Sequence, residues 1–340
     1  MVSAAPSTAA PRREQPQRAT SSWALAWQRF SRHKVGIAGG AVVLFFAIMA
    51  LGAPWISPYD FRDQNRLLRF STPTLELSES MASEKCLVES TFLWGCGLHP
   101  FGTDQLGRDT LTRVLYGGRV SLLVGFVGAL LSTVLGSLLG AFSAYIGGKV
   151  DVVISRLIDI MLSMPQIPLL LILSALLNNR QVALGQVLDG LLGGSKSVVI
   201  IITVFVLFYW MATARLVRGE VLSLKQREFS DAARALGSSH IRIILHHLLP
   251  NAMAVIIVQF SLMMGEAILV ESGLSFLGLG IQPPAVSWGN MLSGAQGFLF
   301  HTNGIYMAVF PGLFIFLTVL CFNLLGDGLR DALDPRSVRQ

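Results

Sequence analysis

Charge is what this sequence has least of. Only 14% of its 340 residues are Asp, Glu, Lys or Arg, where a soluble domain carries about 25%. With 52% hydrophobic residues, that shortage excludes an ordinary soluble fold and points to a membrane. The net charge of +6 does not indicate a nucleic-acid binder, because the basic residues flank apolar runs and form no domain of their own. Metal-site patterns are missing too. The sequence has no HExxH and no CxxC, and the adjacent His246 and His247 cannot share a helix face, so a zinc site has no support. Gly190 to Ser197 (GLLGGSKS) resembles a phosphate-binding loop, but Ser195 stands where a glycine should precede Lys196. No nucleophile–base set appears, which excludes an enzyme. A transport function would therefore draw its energy from a partner or an ion gradient.

Long apolar runs are abundant. A bilayer core needs roughly 20 apolar residues per helix. Segments 35–56, 119–146, 152–177, 197–214, 251–272 and 304–326 meet that need, which predicts an all-α polytopic membrane protein with six transmembrane helices. The third contains Arg156, Asp159, Pro165 and Pro168; it should face protein, and Arg156 and Asp159 are spaced to pair with each other. Residues 1–22 are expected to form a polar, disordered cytoplasmic tail. Trp23, Trp27 and Phe30, beside Arg29, Arg32 and Lys34, predict an interfacial helix over 23–34, or an extension of the first span. Residues 57–118 form a loop, 119–330 a five-helix core with a loop over 215–250, and 331–340 a tail. Lys and Arg set the orientation. Six lie in the N-terminal tail, six in the 215–250 loop and none in 272–303. Both termini should be cytoplasmic. Cys86 and Cys96 then face an oxidising compartment, which permits a disulfide; two free thiols is the other possibility.

The segment Glu228 to Pro250 (EFSDAARALGSSHIRIILHHLLP) is richer than a connector needs to be. Phe229, Ala232, Ala233 and Leu236 share one face of a short helix. Gly237 supplies a stop. Ser238 or Ser239 can cap a second helix with Ile241, Ile244, Leu245 and Leu248 on one face, closed by Leu249-Pro250.

Asp231-Ala232-Ala233, then Gly237, then Leu249-Pro250, resemble the EAA loop of the membrane subunits of bacterial ABC importers, with Asp where that family usually has Glu. Leu274 to Leu292 (LSFLGLGIQPPAVSWGNML) and Phe101 to Leu122 (FGTDQLGRDTLTRVLYGGRVSL) are similar to the C-type permease of the dipeptide/oligopeptide branch. The resemblance covers roughly residues 20 to 335 and implies a bacterial inner-membrane permease. Glu228, Phe229, Asp231, Ala232, Ala233, Leu236, Gly237 and Pro250 would then couple to ATPase subunits, with Ala232 and Ala233 allowing their close approach. Implied partners are a second homologous permease, two ATP-binding subunits, an extracytoplasmic peptide-binding protein and lipid. The chain would hold no cofactor itself, with ATP and Mg bound by the ATPases. Nickel chelates or glutathione are alternative substrates within that class. An ion-coupled transporter would need internal repeats, and none is evident.

Span five carries Glu266 and Glu271, and an ionisable group at bilayer depth is a functional candidate. Glu266, with neighbouring Met264, could line the substrate path and meet a peptide amine, or hold a gate by hydrogen bonding to a neighbouring helix. Glu271 is expected near the outer surface in a solvated role.

Overall fold

Asp109 shows how a helix here begins. Its carboxylate accepts a hydrogen bond from Thr112 N at 2.7 Å, which caps a helix that runs 37 residues from Thr110 to Ile146. That is about 55 Å of helix against a bilayer core of about 30 Å. It therefore starts nine residues before position 119, where hydropathy alone places the span. The computed structural model describes residues 22–73, 98–179, 190, 196–301 and 304–333. In order, its helices are α1 (Ser22–Phe30), α2 (Lys34–Ile56), α3 (Thr110–Ile146), α4 (Gly148–Ser163), α5 (Gln166–Asn178), α6 (Lys196–Leu224), α7 (Glu228–Ala235), α8 (His240–Phe276), α9 (Trp288–Ala295) and α10 (Tyr306–Leu333). Among the described residues no strand forms. Five helices are long and apolar enough to cross a membrane, or six spans if the bent α4–α5 pair counts as one. The fold is all-helical, as the hydropathy pattern predicts. Cys86 and Cys96 lie outside the described residues.

α1 is a separate helix and not an extension of the first span. The chain turns after Phe30, and the His33 ring nitrogen Nδ1 accepts from Gly36 N at 3.0 Å to cap α2.

α4 and α5 meet at 88°. Pro165 has no N–H to donate and crowds the residue before it, so Met164 leaves the helix with ψ of 142°. Pro168 falls in the first turn of α5, where no N–H is required. Only Ile158, Leu170 and Ser174 of this pair are buried. The expected protein-facing surface is thus not covered by the described residues. Nor do Arg156 and Asp159 pair: Asp159 takes Arg215 of α6 at 2.6 Å. α6 itself runs past position 214 to Leu224.

Leu249-Pro250 does not end a helix, contrary to expectation. A π turn over Ile244–Leu248 widens the ladder just ahead of the proline, and Leu249 N donates to Ile244 O. Asn251 Nδ2 donates to His247 O at 2.5 Å. With the freed carbonyls partnered, α8 continues to Phe276.

The centre of the bundle is the α3–α6 pair. A Cβ at Gly136 would come within 2.4 Å of Trp210 O, and one at Gly140 within 2.3 Å of Ala214 O. Glycine four residues apart lets two backbones touch where side chains would hold them apart. Val204, Phe205, Trp210 and Met211 of α6 fill the surrounding core with Ala129, Met263 and Ala267.

Candidate functional site

At one end of the bundle, α7 and the start of α8 form a rigid corner. Glu228 and Asp231 stand in the first turn of α7, where acidic groups favour the helix dipole. Gly237, at φ +77°, closes the helix. Its N–H donates to Arg234 O at 2.9 Å and Ser238 N donates to Ala233 O at 3.1 Å. This is a glycine-closed helix end that an L side chain adopts only with strain. Ser239, of the two serines considered, caps the next helix by accepting from Arg242 N.

The apolar positions of this corner point in two directions. Ala233 and Phe229 pack on Ala141, Ala144, Tyr145, Val217, Val221 and Leu224, together with Ile243, Ile244 and Leu248. Ser230 is fully buried beside them. Ala232 and Leu236 point away, as do Ile241 and Leu245; Leu236 is 86% exposed and Ile241 66%. Ala233 is therefore an anchor to the bundle and not a contact for an outside partner, because the helix turns that side toward α3 and α6. The outward face is Glu228, Asp231, Ala232 and Leu236, continued by Ile241 and Leu245. Pro250 is also exposed, on α8.

Tyr145, in the last turn of α3, holds the corner. Its hydroxyl lies 3.4 Å from Arg234 Nε and 3.3 Å from His240 Nδ1, and the Arg234 guanidinium stacks 5.1 Å from its ring centroid. Nearby, Arg218 Nε and an Arg218 terminal nitrogen each donate to Asp151 at 2.6 Å, and Ser143 Oγ donates to the same carboxylate at 2.6 Å. Lys225 Nζ donates to Ala144 O at 2.9 Å. The ends of α3, α4 and α6 and the α7 corner are thus fastened together by charge-assisted hydrogen bonds. None of Tyr145, Asp151 or Arg218 stands out in the sequence; a charged residue beside a span end is the only cue.

At the opposite end, Glu271 is fully buried, not solvated as expected. Its Oε1 accepts from Ser275 Oγ and Ser287 Oγ, each at 2.7 Å. Its Oε2 accepts from Ser121 Oγ at 3.0 Å and Ser272 Oγ at 3.5 Å. The serines then accept from the backbone: Ser121 from Trp288 N, Ser275 from Ile281 N and Ser287 from Asn290 N. One carboxylate so joins α3, α8 and the N-cap of α9. Folding back of the 277–287 segment is what buries it, a long-range consequence invisible in a hydropathy profile. Glu266 differs. It is exposed on α8, and no hydrogen bond or ion pair joins it to another described residue; among the described residues the gating hydrogen bond to a neighbouring helix is not made. Met264 is half-buried between two core clusters.

A multi-span helical bundle with a braced corner whose apolar face points outward defines a class: a polytopic, all-helical membrane protein. Residues 133–339 match the family model for the binding-protein-dependent transport system inner membrane component, and residues 21–73 match the N-terminal TM domain of oligopeptide transport permease C. The chain is 37% identical to the oligopeptide transport system permease protein OppC of Haemophilus influenzae, over 93% of this chain and 89% of that one. It is 38% identical to the dipeptide transport system permease protein DppC of Alkalihalophilus pseudofirmus, over 97% and 95%. It is also 36% identical to the glutathione transport system permease protein GsiD of Pectobacterium atrosepticum, over 92% and 91%. The chain belongs to the family of binding-protein-dependent transport system inner membrane components.

Proposed function

We propose that this chain is a permease subunit of an ATP-driven importer that passes di- or oligopeptides across the bacterial inner membrane. It works with a second homologous permease, two ATP-binding subunits and an extracytoplasmic peptide-binding protein. Both termini and the α7 corner lie in the cytoplasm, because the Lys and Arg residues concentrate there and the 272–303 loop has none. The chain itself binds no nucleotide or metal; ATP and Mg belong to the ATPase partners.

The observation that carries this is the exposed face of α7, held on Tyr145 and continued by Ile241 and Leu245. Apolar side chains this exposed at a water-facing end of a bundle need a protein cover. An ATPase seated there pushes on a corner that α3, α6 and α8 share, so its closure tilts those spans between inward- and outward-facing states. The uncovered apolar surface of α4 and α5, including Val152, Val153 and Ile167, suits the second permease.

Leu236→Asp tests the docking. The side chain is exposed, so the subunit should fold and insert normally. Uptake and ATPase stimulation by the binding protein should both be lost, since an unpaired charge would be buried in the interface. Full transport by Leu236→Asp would reject the docking assignment.

A further inference from the structure

Between the outer ends of α3 and α9 lies a cavity of about 540 Å³, within the 300–1,000 Å³ typical of small-molecule sites. Its rim carries the exposed Arg62, Gln64 and Gln282, and its floor the buried Asp104, Thr110 and Arg113. With Arg108, three arginines face a single carboxylate. That carboxylate is already occupied. Asp104 Oδ2 lies 2.6 Å from Arg108 Nε and 3.6 Å from Arg113 Nε, and Oδ1 accepts from Leu106 N and Arg108 N. The Arg62 guanidinium lies 5.0 Å from the Phe61 ring centroid, with no carboxylate partner among the described residues. The cavity is thus cationic and carries guanidinium donors in excess. Two of its lining residues, Gln105 and Thr110, each hold a buried side-chain oxygen with no hydrogen-bond partner. A buried acceptor left unpaired is costly, and an N–H of a bound molecule relieves it.

We propose that this cavity is an entry subsite that binds the C-terminal carboxylate of a short peptide through Arg62, with Gln105 and Thr110 accepting peptide N–H groups. The proposal rests on the reading of the chain as a peptide permease. A guanidinium–carboxylate pair gives orientation as well as attraction, so peptides would enter carboxylate-first. An acidic side chain of the binding protein offers the same chemistry, but the two unpaired oxygens of Gln105 and Thr110 within the cavity favour a ligand that also brings N–H groups, as a peptide does.

The test uses the complete transporter with its binding protein in nanodiscs, and compares uptake of a dipeptide with that of its C-terminal amide. Arg62 is exposed, so its replacement should leave the fold intact. Arg62→Gln should lower the acid-to-amide uptake ratio about tenfold relative to wild type, the value of one charge-assisted hydrogen bond. Arg62→Glu should lower it further, and Arg62→Lys should restore part of it. Because the binding protein is the same throughout, its own preference cancels in the comparison. An unchanged ratio in Arg62→Gln and Arg62→Glu overturns the proposal. Equal losses for acid and amide, with loss of binding-protein-stimulated ATPase, also overturn it and assign the cavity to the binding protein. Failure of wild type to transport either peptide overturns the peptide reading, and this inference with it.

Discussion

Replacing Glu271 with Ala removes one acceptor and leaves a set of donors behind. Three serine hydroxyls lie within 3.0 Å of its carboxylate oxygens. A hydrogen bond to a charged group contributes about 1.5–3 kcal/mol. Three of them at the low end make a loss of roughly 4.5 kcal/mol, before any cavity cost. Relaxation is limited because Ser121, Ser275 and Ser287 are each also held by a backbone N–H. Glu271→Gln keeps the volume but offers a single acceptor oxygen, so it should cost less, on the order of 1–3 kcal/mol. The damage should be local. The segment between α8 and the N-cap of α9 would come free first, since Ser275 and Ser287 both bind the same oxygen. Thermal unfolding in detergent, followed by size exclusion, should rank wild type above Glu271→Gln and Glu271→Gln above Glu271→Ala. Limited proteolysis should cut the Ala variant between residues 277 and 287, and leave wild type intact there. If Glu271→Ala melts with wild type and resists cleavage, the carboxylate does not hold this end of the bundle.

Gly140→Ala should destabilise the subunit by about 1–3 kcal/mol through overpacking, because the new methyl would meet Ala214 O; a lowered melting temperature checks this. Tyr145→Phe keeps the ring under Arg234 but removes the hydroxyl shared with His240. It should preserve insertion and melting temperature while lowering uptake per ATP hydrolysed several-fold, measured in proteoliposomes. For orientation, Gly297→Cys in a background without other cysteines should react with an impermeant thiol reagent added outside, and Arg227→Cys should react only after permeabilisation. Both positions are exposed, so silence would report sidedness and not burial.

The spans, the Gly237 stop and the serine cap of α8 were legible because each follows from local chemistry: hydropathy over a window, a positive φ, a hydroxyl beside free N–H groups. What was not legible depends on partners distant in the chain. Phe229, Ala232, Ala233 and Leu236 fall on one apolar arc by spacing, yet only the arrival of Tyr145 and Val221 decides that Ala233 turns inward and Leu236 outward. Asp159 has a same-helix arginine in reach by count, and the facing Arg215 takes it. Leu249-Pro250 carries a break signal that the π turn and Asn251 neutralise. Glu271 sits near a span end by position, and only the folding back of 277–287 takes it out of water. In each case the local signal is present in the sequence, and the tertiary neighbour determines its meaning.

α3 is pinned by polar contacts at two levels, Ser121 to Glu271 at one and Tyr145 to the α7 corner at the other, while between them it touches α6 through glycines that present no side chain. A rod held this way transmits displacement without bending, and it cannot slip a register without breaking bonds at two sites some 35 Å apart by helical rise. Under the proposed docking on the α7 corner, a push would not be absorbed inside the α3–α6 pair and would emerge where packing is sparse, at the 88° elbow between α4 and α5, whose two arms bury few of their own residues. On that reading the elbow would act as the compliant seam of the molecule, and the surfaces on either side of it are where opening and closing would first be felt.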